Sequence, residues 1–414
     1  MSVAIAIKNC RLKYLSQLNM GQSPPSEAVT RFDEGDGLPF LQGNAEFGAV
    51  SPSYKHTCNN PPKAAMTGDM LVSVRAPVGA LNIADQPYGI GRGLCAVKWI
   101  YIEPRFGWWA LHHHRSKLNE VATGSTYEAV SAEDLGNLVL SFPDEQLQCF
   151  IANYLDRETA RIDELIAEKE RMLALLEEKC ASLISRVVTR GLDPNAPLKP
   201  SGQQWLGEIP AHWNICQLKR TWASSDYGLS ESIRDEGEIA VLRMSCIVDG
   251  RIDVSKSGMI AEVDDHLLLR RNDLLFNRTN SLDQIAKVGL VDFDPDEPLT
   301  FASYLVRIRA NLRATPQYLV ALLNSSLFLE FARKNAIPAI GQANLSPTRY
   351  GEIQIPLPPM AEQDEIVTFL ERDAATSTPV REYISSSIAL LKERRAALIS
   401  AAVTGQIPLE EMTG

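Results

Sequence analysis

The sequence predicts an α+β chain built as an internal repeat. Two similar strand-rich blocks are each followed by a long helix, and the two helices pair as a coiled coil. Three observations carry this. "FPDEQLQCFIANYLDRETARIDELIAEKERMLALLEEKCASLISRVVTRGL" (142–192) and "LPPMAEQDEIVTFLERDAATSTPVREYISSSIALLKERRAALISAAVTGQI" (357–407) align without a gap at an offset of 215. Pro143 falls on Pro358, Gln148 on Gln363, Ile151 on Ile366, Leu155 on Leu370, Arg157 on Arg372, Ser185 on Ser400 and Thr189 on Thr404. A register held that long marks a duplicated domain and helix, not a short-period array. Both segments are rich in Glu, Lys, Leu and Ala, which favour helix. The stretch before each consists of short apolar runs broken by Gly, Pro, Asn and Asp, a strand-and-turn texture.

In chain order, residues 1–143 form the first strand-rich block and 144–190 the first long helix. Residues 191–214 are a Pro/Gly linker, "GLDPNAPLKPSGQQWLGEIPAHWN". Residues 215–358 form the second block, 359–405 the second helix and 406–414 a tail. The blocks share a skeleton: "GDMLVSVRAPVG" (68–79) faces "NDLLFNRTNSL" (272–282), "GLCAVKW" (93–99) faces "SYLVRIR" (303–309), and 122–143 faces 337–358. Their residue identity is otherwise low, so the blocks have diverged over their loops.

The helices carry heptads. Leu155, Ile162, Leu176 and Leu183 share one seam position, interrupted by Lys169, and Thr159, Ile166, Leu173, Cys180 and Val187 share the other. In the second helix Leu370, Ile384, Leu391 and Leu398 share a position, with Ala374, Ile388 and Ala402 at the other. A helix packed on its own domain is the alternative. A seam this long is better explained by two similar helices packing on each other. Pro379 in "TSTPVREY" predicts a break in the second helix, with Thr378 capping a fresh start.

Bulk properties set limits. The chain has 414 residues, 45% apolar and 22% charged, as in a globular protein of two or three domains. No apolar run approaches the roughly 20 residues of a membrane span, and the start reads as carrying no signal peptide. The seven cysteines, scattered and without C-x-x-C spacing, read as thiols of a reducing cytoplasm. A net charge of −10 argues, taken alone, against nucleic acid. Phosphate binding depends on local clusters, however, and a subunit of a larger complex can leave much of the neutralisation to partners.

The duplicated helices, the linker phrase "WLGEIPAHWNICQLK" and the helix entry "LPPMAEQDEIVTFL" resemble the DNA-specificity subunits of Type I restriction-modification systems, the HsdS family. "GDMLVSVRAPVG", "NDLLFNRTNS", "GSTY" and "ALISAAVTGQI" are further phrases of that family, and the resemblance covers essentially the whole chain. The first helix entry, "FPDEQLQ", departs from the more usual "LPPMAEQ". The resemblance implies two target-recognition domains spaced by antiparallel helices with a pseudo-twofold relation, and an asymmetric bipartite target in double-stranded DNA. It implies methyltransferase subunits, about two, as partners, with restriction and translocase subunits for cleavage. It implies no catalysis or cofactor on this chain: S-adenosylmethionine, and ATP with Mg for restriction, belong to the partners.

DNA readers use Arg for guanine and Asn or Gln for adenine, with other contacts going to phosphates. The first block offers Gln22, Ser23, Gln42, Asn44, Arg75, Arg92, Ser125, Thr126 and Tyr127 in glycine-marked loops. The second offers Arg243, Asn277, Arg278, Asn280, Gln342 and Asn344. For any one of them, a structural turn residue is the competing reading. "NNPPK" (59–63) resembles an amino-methyltransferase motif, but Lys63 stands where an aromatic would stack on the base. "YGIGRG" (88–93) lacks the following helix and acidic partner of a dinucleotide loop. The adjacent histidines of "HHHR" (112–115) point in different directions on a helix, unlike a metal-binding i, i+4 pair. There is no P-loop, helicase motif or nuclease set of acids with a lysine. The competing functions are a stand-alone or fused DNA adenine methyltransferase, which would itself bind S-adenosylmethionine, and a coiled-coil scaffold, which would show no sequence preference.

Overall fold

The computed structural model describes residues 6–32, 37–122, 129–230, 234, 236–339 and 341–413. The chain divides into two compact units. The first contains the first strand-rich block, the first helix as far as Glu170, and the chain from Ser386 onwards. The second contains Arg171–Ser385.

In the first unit, Lys8–Arg11 pairs antiparallel with Val139–Phe142, the strand that leads into the helix. A four-stranded sheet has the order Ser16–Met20, Leu94–Trp99, Met70–Ser73, Leu81–Ile83. A five-stranded sheet contains the parallel pair Leu38–Leu41 with Tyr88–Ile90. Helices Pro104–His113 and Arg115–Val121 pack beside them. The second unit repeats the plan. Asn214–Gln217 pairs with Gln354–Leu357. A six-stranded sheet opens with Trp222–Tyr227, Leu305–Ala310, Asp273–Asn277 and Val288–Leu290. Ile239–Leu242 runs parallel to Leu299–Phe301, and helices Pro316–Leu323 and Ser326–Lys334 follow. The strand pairing sets Leu94 against Leu305, since Leu94 pairs with Ser73 and Leu305 with Asn277. The expected alignment of 93–99 on 303–309 is therefore one residue out. A one-residue slip puts side chains on the opposite face of a strand.

The first long helix is Glu145–Arg190. Asp144 starts it, its carboxylate accepting the Leu147 N–H at 3.0 Å. Gly191, at φ +74°, ends it in the left-handed conformation that glycine adopts without penalty. The second is Met360–Val403, and it is continuous. The expected break at Pro379 does not occur: the proline sits inside the helix. An interior proline costs about 3 kcal/mol. Burial of Ile366, Ile384 and Ile388 on either side, roughly 1.5–3 kcal/mol each, outweighs that cost.

The helices run antiparallel within the first unit, where Asp163 takes a bidentate bond from Arg395 (2.7 and 3.0 Å) and Glu170 one from Lys392 (3.0 Å). Leu155, Thr159, Ile162 and Ile166 are buried on the first helix, and Ile388, Ile399 and Ala402 on the second. In the second unit the seam is looser. Leu176, Cys180, Leu183, Asp373, Ser377 and Val380 line a gap of about 190 Å³. Leu173, Leu176 and Leu370 are half-buried, as are Asp373 and Ser377, while Ala374 is exposed; in the first unit Leu391 is half-buried too. The seam thus passes through Ser377, which is on the expected seam position seven residues after Leu370, and through Asp373, one step from the expected Ala374.

The repeated helix residues turn out to be joints. Gln148 is buried, donates to the Pro143 carbonyl (2.9 Å) and accepts from the N–H of Glu103, the N-cap of the following helix (2.8 Å). Gln363 does the same with Pro358 (3.0 Å) and with Thr315, the N-cap of the equivalent helix (2.9 Å). The far ends match too. Val187 and Val188 are buried in the core of the second unit, and Ala402 and Val403 in that of the first. Ser185 Oγ meets Ser326 Oγ, and Ser400 Oγ meets His113 Nδ1, both at 2.9 Å. The linker is ordered as well. Leu198–Pro200 and Glu208–Pro210 form a hairpin, Trp205 stacks on Phe331, and buried Trp213 donates to Glu362 (2.9 Å).

Candidate nucleic-acid interface

In the first unit, the loops at one end of the central sheet converge. The Gln22 N–H donates to Ile90 O (3.0 Å), Gly91 N–H to Leu41 O (2.8 Å), Val74 N–H to Gly93 O (2.9 Å) and Val130 N–H to Val74 O (2.9 Å). Glycine is required at the meeting point: a Cβ on Gly21 would collide with the Gly91 carbonyl, and one on Gly91 with Gln42. This web collects Gln22, Ser23, Gln42, Asn44, Arg75 and Arg92. Gln22, Gln42, Arg75 and Arg92 are exposed. The Gln42 amide touches Ser23 Oγ at 3.2 Å. Arg75 and Arg92 have no side-chain partner among the described residues, so their guanidinium groups are available. Ser125, Thr126 and Tyr127 lie outside the described residues.

The second unit builds the same web from different residues. Leu229 N–H donates to Phe301 O (2.9 Å), Ala302 N–H to Leu242 O (2.9 Å), Arg278 N–H to Tyr304 O (3.0 Å) and Leu345 N–H to Arg278 O (2.8 Å). Bond for bond, these match the four above. Gln22 therefore corresponds to Leu229, Gln42 to Arg243, Val74 to Arg278, Arg75 to Thr279, Arg92 to Ser303 and Gly93 to Tyr304. The backbone is held in common and the outward side chains differ.

Arg243 is exposed at this end. Arg278 is half-buried, with its guanidinium 5.1 Å from the Tyr227 ring centre and Nη1 3.5 Å from Ser303 O. Thr279–Asn280 pairs with Gln342–Asn344, whose hairpin turns at Gly341, φ +73°. Gln342 is exposed near that tip. Asn344 donates to Thr279 Oγ1 (2.8 Å), and Asn280 accepts the Ser281 N–H (2.8 Å), so both have structural tasks. Asn277 is a correction. It is buried, with its amide on Gln284 O at 3.4 Å, and is withdrawn from the surface.

Sequence reasoning missed Tyr227, Leu229, Ser303 and Tyr304. The signal for the first two was present: "GQS" (21–23) and "GLS" (228–230) are the same turn. The remaining motifs take other parts. "NNPPK" is a turn with Asn60 at φ +52°, and its Pro61 packs on Gly89. "YGIGRG" joins two strands. His112 packs on Trp108 and Trp109, and burial, with Arg395 and Arg115 nearby, lowers its pKa to about 4. Burial likewise lowers His114 to about 4, aided by His113 and Lys117. Among the described residues, no group of three His, Cys, Asp or Glu side chains is placed to hold a metal ion, and no helix is long and apolar enough to cross a membrane.

The chain matches the Type I restriction modification DNA specificity domain twice, over residues 6–173 and 215–378. It belongs to that family. A relative from Methanocaldococcus jannaschii, named for the type I restriction enzyme MjaX specificity subunit, is 35% identical over 41% of this chain and 39% of its own length. The type I restriction enzyme EcoKI specificity subunit of Escherichia coli is 23% identical over 71% of this chain and 63% of its own. The chain thus spans less than two thirds of either relative. A solved chain from work on complex assembly and conformational transition of the type I R-M system superposes with a TM-score of 0.72, at 15% identity, covering 98% of this chain and 100% of that one. That likeness supports the fold of the specificity family.

Proposed function

We propose that this chain is the sequence-reading subunit of a Type I restriction-modification complex. Each unit carries one reader, at the loop web described above, and each reader recognises one part of an asymmetric bipartite target in double-stranded DNA. The observation that carries this is the pairing of the webs. The same four backbone bonds hold both, yet Gln42 stands against Arg243 and Arg92 against Ser303. A scaffold has no use for such divergence. Two readers of different base sequences need it, because Arg and Gln select different bases.

The chain directs methyltransferase subunits, about two, and restriction and translocase subunits to that target. It is non-catalytic itself, with S-adenosylmethionine, ATP and Mg used by the partners. The test is to co-express the chain with its methyltransferase partner and map methylated adenines across the host genome. The expected result is one bipartite motif with a fixed non-specific spacer. Methylation without a motif, or turnover by the purified chain alone, would overturn the reading.

A further inference from the structure

We propose that Tyr227 is a positioning residue for Arg278, and that the pair recognises a guanine edge in the major groove, a device of the second reader whose equivalent positions in the first hold Met20 and Val74. The proposal rests on the reading of the chain as a DNA-specificity subunit and names the base class that one part of the site takes.

The backbone of Arg278 is fixed on both sides, its N–H on Tyr304 O and its carbonyl under the Leu345 N–H. Its side chain is not consumed by the fold. Nη1 leans on Ser303 O at 3.5 Å, Nε is covered without an acceptor, and among the described residues no acid pairs with the guanidinium. Asp226, beside Tyr227 in sequence, is held instead by buried Arg307 at 2.7 Å. Among the described residues, the outer donors of Arg278 are therefore left for a ligand.

What holds it is the Tyr227 ring. Tyr227 ends the edge strand, where it pairs with Val306, and is 53% exposed. A guanidinium over an aromatic face is held in one plane, so less rotamer freedom is lost when it binds. A flat fork with two parallel donors matches N7 and O6 of guanine, two adjacent acceptors that no other base presents in the major groove. Among the described residues, the first reader has no such pair. Strand register places Met20, against Cys95, where the second has Tyr227 against Val306. The web places Val74 where the second has Arg278.

The experiment selects duplexes from a pool with a randomised window, using the full chain assembled with its methyltransferase partner. Arg278→Ala is expected to weaken the preference for guanine at one position of the second half-site by roughly 5- to 150-fold. Tyr227→Ala should weaken it at that same position by about 2- to 5-fold, and Tyr227→Phe should retain it. In an Arg278→Ala background, Tyr227→Ala should have no further effect. The proposal is overturned by an unchanged preference in both single variants, or by a Phe variant that behaves like Ala. It is equally overturned by an Arg278→Ala loss spread evenly over all sequences, which would mark a phosphate contact, or by an undiminished Tyr227→Ala effect without Arg278. The first half-site, read in the same selection, must stay intact; its loss with the second would mean that the variants act through folding, and the positioning role would fall. Failure of the wild-type complex to enrich any sequence would sink the function proposed above, not this pairing alone.

Discussion

Replacing Gln363 with leucine should uncouple the second long helix from its reader. Gln363 is fully buried. It donates to Arg313 O and Pro358 O, both at 3.0 Å, and accepts from the Thr315 N–H at 2.9 Å. Leucine fills nearly the same space but satisfies none of these groups. A buried polar group left without a partner costs about 1–3 kcal/mol. The three share one site and relax together, so the expected loss is roughly 3–5 kcal/mol, not their full sum. Gln148→Leu removes two such bonds and should cost less. Hydrogen exchange across residues 313–323 and 358–366 of the full chain is the assay, because it reports local opening. Protection should fall there in Gln363→Leu while the first unit is unaffected, and recognition of the second half-site should weaken first. Unchanged protection in the leucine variant would refute the joint.

Other outcomes follow from the same structure. Exchanging residues 1–140 for the equivalent block of a relative should change one half-site of the methylated motif and leave the other; a change in both would defeat the two-reader assignment. Arg75→Ala and Arg92→Ala should each cost roughly 1–3 kcal/mol of binding and relax one position of the first half-site, read by the same duplex selection. For pH, His112 and His114 have folded pKa values of about 4, below their ordinary 6.5. The unfolded chain then binds more protons between those values, so their stabilisation is full above about pH 6.5 and is lost as pH falls towards 4. Thermal unfolding of the first unit should move down from pH 7 to pH 5, by on the order of 1–2 kcal/mol per histidine, and His112→Gln should flatten that slope.

Much of the architecture was legible because the repeat is written in buried residues. Gln148 and Gln363, Ser185 and Ser400, and Val187 and Ala402 recur because each fills an equivalent joint. Pro379 misled for a physical reason: local propensity is a few kcal/mol, and packing on both flanks exceeds it. The 93–99 register misled because four successive residues are buried on each strand, Leu94–Val97 and Leu305–Ile308 with Arg307 among them, so alternation did not pin them. The loops proposed to read DNA were only half legible. Glycines marked where they turn, but which loops meet depends on long-range bonds such as Val74 to Gly93 and Arg278 to Tyr304. Nothing local in the sequence announces these.

The division between joints and readers has a consequence for exchange of side chains. The joints are buried or half-buried, and their polar members are hydrogen-bonded, so changing them costs stability. The proposed reading positions Gln42 and Arg243 are exposed, and substitutions at such places usually stay within about 0.5 kcal/mol. Gln42 has one weak tie, to Ser23 Oγ at 3.2 Å. Arg243 is tied through its backbone, the N–H on Cys246 Sγ and the carbonyl under the Cys246 N–H. The two residues occupy equivalent points of their webs, one step beyond Leu41 and Leu242. Gln favours adenine and Arg guanine, each as a bidentate pair. Gln42→Arg should therefore shift one position of the first half-site towards guanine, and Arg243→Gln one position of the second towards adenine, with melting temperatures unchanged in both. The duplex selection and a melting curve on the same preparations measure both quantities together. A stable variant with an unaltered motif would remove that position from the reading set, and an unstable one would mean that the loop web depends on its outward side chains after all.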